Sequence, residues 1–598
     1  MGEKDTKADS RTENIEYNEG SSSSGSSHMK NGDEIQMAVR SGSTAHVTNT
    51  AQAIDIAKDG GWEADALIKE LEDELTRTNY KKGHFDLEFA NPKTFTVLLV
   101  IFASMGGLLS GLDQSLISGA NLFLPEDLGL TERQNSLVNS AMPLGAIAGA
   151  LLISPCNEMF GRRWAILISC ILYTIGGAMC AGAVNYAMIV VARLILGAGV
   201  GLEGGTVPVY VAETVERKLR GNLVSLYQLN IALGEVLGYA VAAMFIHVEG
   251  NWRYILGSSL VFSTIMLIGM LYMPESPRFL LHKGKPLEAY KVWKRIRGIK
   301  TLESREEFFI MKVGMEQEQA EVAAGSGSRS MPWLDFFTKP RARRAVVYAN
   351  IMIFLGQFTG VNAIMYYMST LMSQVGFDEY QSNYMSLVGG GALLIGTIPA
   401  AFLMETCGRR FWATVTLPGF FVGLIITGVS YFPAFEGPAN ITPRLGIYLT
   451  GMILYMLFFG CYATLTWVIP SESYPTYLRS YGMTTSSGFL FLCSFIITYN
   501  FRGMQEAMTK QGLSMGFFGG IALLGWVYQL LFMPETKGKT LEEIDLIFER
   551  PTRSIVAENI KNIKETTSDL CHFRFKKVFV DDNKAKAAVA LTEERFGH

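Results

Sequence analysis

The chain has 598 residues, 49% of them hydrophobic and only 18% charged, with a mean hydropathy of +0.21 and a formal net charge of −3. Soluble proteins carry about a quarter charged residues, and a faintly acidic chain offers no basic surface for nucleic acid. Seven cysteines are scattered, mostly in apolar segments, and seven histidines fall outside the apolar cores or at their ends. This pattern argues against a disulfide framework, a metal centre and histidine acid–base catalysis.

In chain order, residues 1–93 form a polar tail whose acidic start is unlike a cleaved signal peptide. The run SSSSGSSH is low-complexity, whereas Trp62–Leu75 has helical periodicity suited to a short amphipathic helix on the membrane or inner face. The block 94–273 then supplies six apolar segments long enough to cross a bilayer, roughly 94–117, 136–155, 164–183, 186–207, 223–246 and 254–273. A charged connection, 274–344, follows and contains a second amphipathic stretch at Leu287–Ile296. Six more spans come at roughly 345–373, 384–405, 411–431, 446–470, 483–501 and 514–533, before a polar tail over 534–598. The expected fold is an all-α membrane protein of twelve transmembrane helices in two six-helix bundles.

Basic residues set the expected orientation. Arg162 and Arg163 follow span two, Arg217, Lys218 and Arg220 follow span four, and Arg409, Arg410 and Arg479 mark the matching loops of the second block. The opposite loops carry few. Both tails and the central connection are thus expected in the cytoplasm. The sequon Asn440-Ile441-Thr442 falls on the outer face, with Pro443 weakening its use.

The two blocks repeat. Phe160-Gly161-Arg162-Arg163 answers Cys407-Gly408-Arg409-Arg410; Glu213 with Arg220 answers Glu472 with Arg479; and Pro274-Glu275-Ser276-Pro277-Arg278 answers Pro534-Glu535-Thr536-Lys537-Gly538. A duplicated six-span unit is the layout of rocking transporters that bind solute between their halves. These paired motifs resemble the sugar porter family of the major facilitator superfamily, over roughly 94–545, and the long polar tails resemble fungal members.

Three carboxylates, Asp113, Glu203 and Glu235, lie in or near apolar spans, where a charge requires a cavity or a partner. Arg193 in span four is the natural partner for Asp113. The resemblance implies that Asp113 accepts the coupled proton and that Arg193 tunes it; the other reading is a permanent structural ion pair. Glu203, near the end of span four, reads as an outer-mouth residue rather than a second titratable site. Gln228 and Glu235 on span five are seven residues apart and share a face, with Asn230 on another. The resemblance makes Gln228 a hydroxyl-binding residue, while Glu235 stands equally for substrate contact and for helix–helix bonding.

Span seven reads Gly356-Gln357-Phe358-Thr359-Gly360-Val361-Asn362, then Tyr366-Tyr367. The family pattern has two successive glutamines here, and Gly356 replaces the first. Gln357 and Asn362 are the implied solute contacts, and Tyr366 and Tyr367 the implied outer gate. The missing glutamine predicts a larger pocket and counts against glucose. Trp467 on span ten matches the family's tryptophan beneath the sugar. Phe491 stands where many relatives have tryptophan, Ser494 where some have asparagine, and the usual glutamate near Phe459 is absent. These departures point to a bulkier or less polar solute, or to a cyclic polyol such as inositol.

Glu158, Arg162, Arg163, Glu213, Arg220, Glu275, Arg278, Arg409, Arg410, Glu472, Arg479 and Glu535 resemble the family's inner-face charge network, whose pairs hold the outward-open state. The glycine-rich Gly197–Gly201 lies inside a span with no strand before it, so it reads as close helix packing and not a nucleotide loop. No Walker A pattern occurs, which leaves ATP-driven pumping without support. The expectation is a proton-coupled sugar or polyol symporter working by alternating access. Its partners are the solute, protons and the bilayer, with no cofactor and no enzymatic site; it is monomeric and multi-pass, in the plasma membrane. A facilitator and a non-transporting nutrient sensor are the alternatives.

Overall fold

The computed structural model describes residues 62–77, 92–215, 220–323, 332–435, 441–475, 478–537, 544 and 547–571. Asn440 and the side chain of Arg220 lie outside the described residues. Every long element among the described residues is helical.

Eleven helices are long and apolar enough to cross a membrane, and a bent pair supplies the twelfth. The first half contains span one (Pro92–Ala120), span three (Arg162–Ala181), span four (Tyr186–Thr214) and span five (Arg220–Phe245) as continuous helices. Span two starts at a capping box, in which the Thr131 hydroxyl accepts from the Gln134 backbone N–H and Gln134 accepts from the Thr131 backbone N–H. It then bends by 43° between Glu132–Leu151 and Ile153–Met159. Span six is Asn251–Gly257 running into Ser259–Leu271. In the second half, spans eight to eleven are Glu379–Cys407, Arg409–Val429, Ile441–Ser473 and Arg479–Met508. Span twelve begins as a π-helical stretch, Gly512–Phe518, and continues as Gly519–Phe532.

Span seven breaks where the site needs it. Pro340–Gln357 ends one turn before Gly360, whose φ of +87° permits the left-handed step that restarts the chain as Val361–Tyr366 and then Met368–Val375. Broken backbone at membrane depth is tolerated where it borders protein or a cavity. Here the break displays Gln357 and Asn362 together.

Packing repeats the sequence duplication. Span two packs on four and three on four; span eight packs on ten and nine on ten. Span one lies along five, and seven against eleven. The halves meet where five crosses eight and two crosses eleven. Small residues permit these approaches: a Cβ on Gly197 would lie 2.1 Å from the Met142 carbonyl oxygen, and one on Gly201 2.0 Å from that of Ala146. The glycine-rich stretch is helix packing, as its setting implies.

Helices Pro277–His282, Pro286–Ile296 and Leu302–Ala323 build a cap at the end carrying the paired arginines, here called the basic end. The amphipathic helix of the amino-terminal tail, Trp62–Arg77, docks on that cap. Its Ile68 and Leu71 bury against Leu280, Tyr290, Trp293 and Phe308. Lys294–Glu72 at 2.8 Å and Arg305–Asp65 at 2.7 Å flank the contact. The cap belongs to the first half, because the Thr96 hydroxyl donates to the Ile296 carbonyl and Arg295 lies over the Phe95 ring.

Candidate functional site

Between the halves is a chamber of about 690 Å³, adjoining open space included. Gln228, Glu235, Gln357, Asn362, Tyr366, Trp467 and Phe491, drawn from spans five, seven, ten and eleven, all line it. Each is buried or nearly so: Gln228 and Gln357 are 6% exposed and Glu235 3%. Asn230 instead turns back to the Leu226 carbonyl, as expected for the other face of span five. The Trp467 indole N–H donates to Gln228 Oε1 at 2.9 Å, a bond that crosses from the second half to the first. The Asn362 amide donates to Gln357 Oε1. Glu235 Oε2 has no hydrogen-bond partner among the described residues. Buried acceptors of this sort are costly until something donates to them.

Several chamber residues escaped sequence reasoning. Ser110, Gln114, Tyr227 and Thr466 also face the chamber, together with Ser494. The signal for Gln114 and Thr466 was present, since each is polar within an apolar span and adjoins a residue already singled out. The larger pocket expected from Gly356 is corrected by the structure. Gly356 is absent from the lining, and the Tyr462 ring fills its space, 2.9 Å from where a Cβ would stand. Tyr462 is fixed there by the Gln529 amide at 3.3 Å.

Asp113 and Arg193 form a two-pronged pair beside the chamber. Arg193 Nη1 donates to Asp113 Oδ1 at 3.1 Å and Nη2 to Oδ2 at 3.0 Å, while Nε donates to the Val138 carbonyl at 2.8 Å. The side chains are 0% and 4% exposed. Neither lines the chamber, but Ser110 and Gln114, on either side of Asp113 in span one, both do.

Glu203 is not an outer-mouth residue. It lies well inside span four, 1% exposed, with neither carboxylate oxygen partnered among the described residues. Span four runs toward the basic end, so a residue late in it cannot lie at the opposite mouth.

The end opposite the basic end is closed. The Ser369 backbone N–H donates to Ser118 Oγ at 3.1 Å, Asn121 donates to Thr370 Oγ1 at 3.1 Å, and the Tyr239 hydroxyl donates to the Met365 carbonyl at 3.1 Å. These bonds join spans one and five to span seven. Tyr366 and Tyr367 are both 1% exposed. Tyr366 donates toward Met142 Sδ, and Tyr367 stacks on Phe501.

At the basic end the duplicated motifs build the same object twice. Glu275 accepts from the backbone N–H groups of Arg162 and Arg163 at 2.9 and 3.1 Å; Glu535 accepts from those of Arg409 and Arg410, both at 3.1 Å. Each carboxylate thus caps the start of a span, where the helix dipole favours negative charge. Burial pushes the Glu275 carboxyl up from its ordinary value, against the pull of these N–H donors and of Arg162. Arg162 pairs with Glu213 at 2.9 Å and Arg409 with Glu472 at 2.6 Å; Ser276 bonds Glu213 and Thr536 bonds Glu472. Arg163 and Arg410 donate to the carbonyls of Leu271 and Leu530. All these bonds stay within one half. The halves face each other here across a second cavity, where Glu158, Glu213 and Arg278 look toward Arg479 and Tyr481 of span eleven.

Two helix bundles related by duplication, enclosing a polar chamber with a buried ion pair in its wall, define a membrane transporter of the major facilitator fold. The fold matches the solved structure of the proton:xylose symporter XylE bound to 6-bromo-6-deoxy-D-glucose, with a TM-score of 0.67 at 24% identity over 77% of this chain and 100% of that one. The chain belongs to the family described as "Sugar (and other) transporter", whose model matches residues 99–548. It is 66% identical, over 92% of its length and 95% of the relative's, to the myo-inositol transporter FST1 of Gibberella moniliformis. It is 28% identical to the proton myo-inositol cotransporter of Homo sapiens, over 76% of this chain and 82% of that one. The chain is a transporter and not an enzyme.

Proposed function

We propose that the protein carries a cyclic polyol of the inositol class together with a proton, entering at the end opposite the basic end and leaving at the basic end. The carrying observation is the ring of polar groups around the chamber. Ser110, Gln114, Gln228, Gln357, Asn362, Thr466 and Ser494 offer donors and acceptors to a molecule with hydroxyls on every side, and Glu235 offers a carboxylate. Trp467 gives a flat apolar face for C–H groups. A polyol hydroxyl donating to Glu235 Oε2 supplies the partner that this oxygen lacks. The similarity to two proteins named as inositol transporters supports the same choice of solute.

Proton coupling falls to Asp113. While Arg193 holds it the carboxylate stays charged; rocking that withdraws the guanidinium leaves a buried carboxylate that takes a proton. Tyr366 and Tyr367 close the chamber on the far side from the basic end. The basic end faces the cytoplasm, which puts both tails there by the excess of Lys and Arg. The protein acts as a monomer at the plasma membrane, with bundles over 94–273 and 345–533 and cytoplasmic segments over 1–93, 274–344 and 534–598.

The test is uptake of radiolabelled hexoses, disaccharides and inositols into proteoliposomes, with and without a protonophore. Accumulation of myo-inositol that collapses with the protonophore is expected. Uptake that only equilibrates, indifferent to the protonophore, marks a facilitator and overturns the symport reading.

A further inference from the structure

Glu203, a buried acid within a span, takes no part in the steps above. Glu203 is 1% exposed, and neither carboxylate oxygen has a hydrogen-bond partner among the described residues. It presses against Gly106 of span one so closely that a Cβ there would fall 1.0 Å from Glu203 Oε1. The titratable side chains around it are Cys170 and Tyr173 of span three and Tyr227 of span five. Span one presents glycine at the contact, and span two packs on span four through Ala146. No Lys, Arg or His faces it among the described residues. An ionised carboxylate without counter-charge or donor is one of the most expensive groups a membrane interior can hold. A residue this costly needs a task.

Its position suggests the task. Spans one and four run antiparallel along one seam. Asp113 meets Arg193 at one point of this seam, and Gly106 meets Glu203 at another. Gly106 lies seven residues from Asp113, so Glu203 is displaced by roughly 10 Å toward the basic end at about 1.5 Å per residue. The next residue, Gly204, borders the chamber floor: a Cβ there would lie 3.4 Å from Trp467, 3.6 Å from the Tyr227 hydroxyl and 3.7 Å from Phe491.

We propose that Glu203 is a second proton carrier, placed between the Asp113–Arg193 pair and the basic face, which receives the coupled proton and releases it there. This rests on the symport reading. In the step, the O–H bond of protonated Asp113 breaks and its electron pair stays as the carboxylate that Arg193 recaptures. The proton passes through water to the Glu203 carboxylate and forms a new O–H bond. Opening of the basic end then lets water take the proton from Glu203. No other co-reactant is needed, and charge is conserved at each transfer.

The test uses the full chain in proteoliposomes, with myo-inositol as solute. Glu203→Gln is expected to exchange labelled myo-inositol in counterflow yet lose at least tenfold in proton-driven accumulation, and to lose the wild type's dependence on pH at the basic face. Glu203→Asp, which keeps a carboxyl, is expected to recover part of the accumulation. Wild-type accumulation in Glu203→Gln, alongside its loss in Asp113→Asn, overturns the assignment but leaves symport standing. Absence of solute-coupled proton flux in the wild type overturns both. If Glu203→Gln does not fold, infrared difference spectra of the wild type and Glu203→Asp on pH steps decide. A carboxylic acid band that titrates and moves in Glu203→Asp supports the role, and its absence refutes it.

Discussion

Asp113→Asn is expected to separate binding from coupling. The substitution keeps the shape of the side chain but removes the charge that Arg193 grips with bonds of 3.0 and 3.1 Å. Removing one partner of a buried ion pair costs about 3–5 kcal/mol; asparagine still accepts one bond, so the lower end, about 3 kcal/mol, is the expected loss of stability by that rule. The functional loss is larger in kind. At 100 mV one proton is worth about 2.3 kcal/mol, which at about 1.4 kcal/mol per decade sustains an inside-to-outside solute ratio of roughly fifty. An uncoupled carrier sustains a ratio of one. Reconstituted Asp113→Asn, under an imposed potential and pH gradient, is therefore expected to equilibrate myo-inositol without concentrating it, while counterflow exchange persists. A variant that still reaches ratios well above one would falsify the assignment of the proton to Asp113.

The twin caps should respond alike. Gly161→Ala and Gly408→Ala each place a side chain at φ +92° and a Cβ 2.5 or 2.7 Å from the Glu275 or Glu535 carboxylate. Each is expected to cost about 1–3 kcal/mol for the backbone alone, read as a lowered melting temperature in detergent; an unchanged melt refutes the cap. Trp467→Phe removes the indole donor to Gln228 and is expected to raise the KM for myo-inositol several-fold, while an unchanged KM separates that bond from solute binding. Ile68→Asp puts a charge into the contact with the cap. Rapid proteolysis of residues 62–77 with transport retained is the expected result, and equal protection in mutant and parent counts against the docking. Glu72→Ala breaks an exposed pair with Lys294 and should change the melt by less than the other variants, since such pairs are worth about 0–1 kcal/mol.

The spans were legible because bilayer thickness imposes a length and composition that local sequence cannot hide. Span two was legible as one segment, and its 43° bend has a signal that the sequence reading passed over: Pro155 cannot donate to the Leu151 carbonyl four residues before it, and its ring crowds that carbonyl where the helix breaks. Gln228 and Glu235 could be placed on one face by helical spacing alone, and both reach the chamber. Gly356 misled because spacing does not reveal which neighbour occupies vacated volume; the occupant, Tyr462, lies more than a hundred residues away. Glu203 was misplaced for a different reason. The direction of span four was already set by Arg217, Lys218 and Arg220, which puts its late residues toward the basic end; what one sequence could not show is the lack of partners among the described residues, which depends on three other spans.

The docked amino-terminal helix has a counterpart at the other terminus. Thr552–Cys571 packs on span twelve, where the Asn559 amide donates to the carbonyls of Leu531 and Met533. One terminal helix is thus bolted to each bundle, so the pair act as levers on opposite sides of the fulcrum. A scaffold gripping only one would leave the stroke free, whereas a clamp bridging both would arrest it. Labels on the two helices would report each transport cycle as a change in their separation.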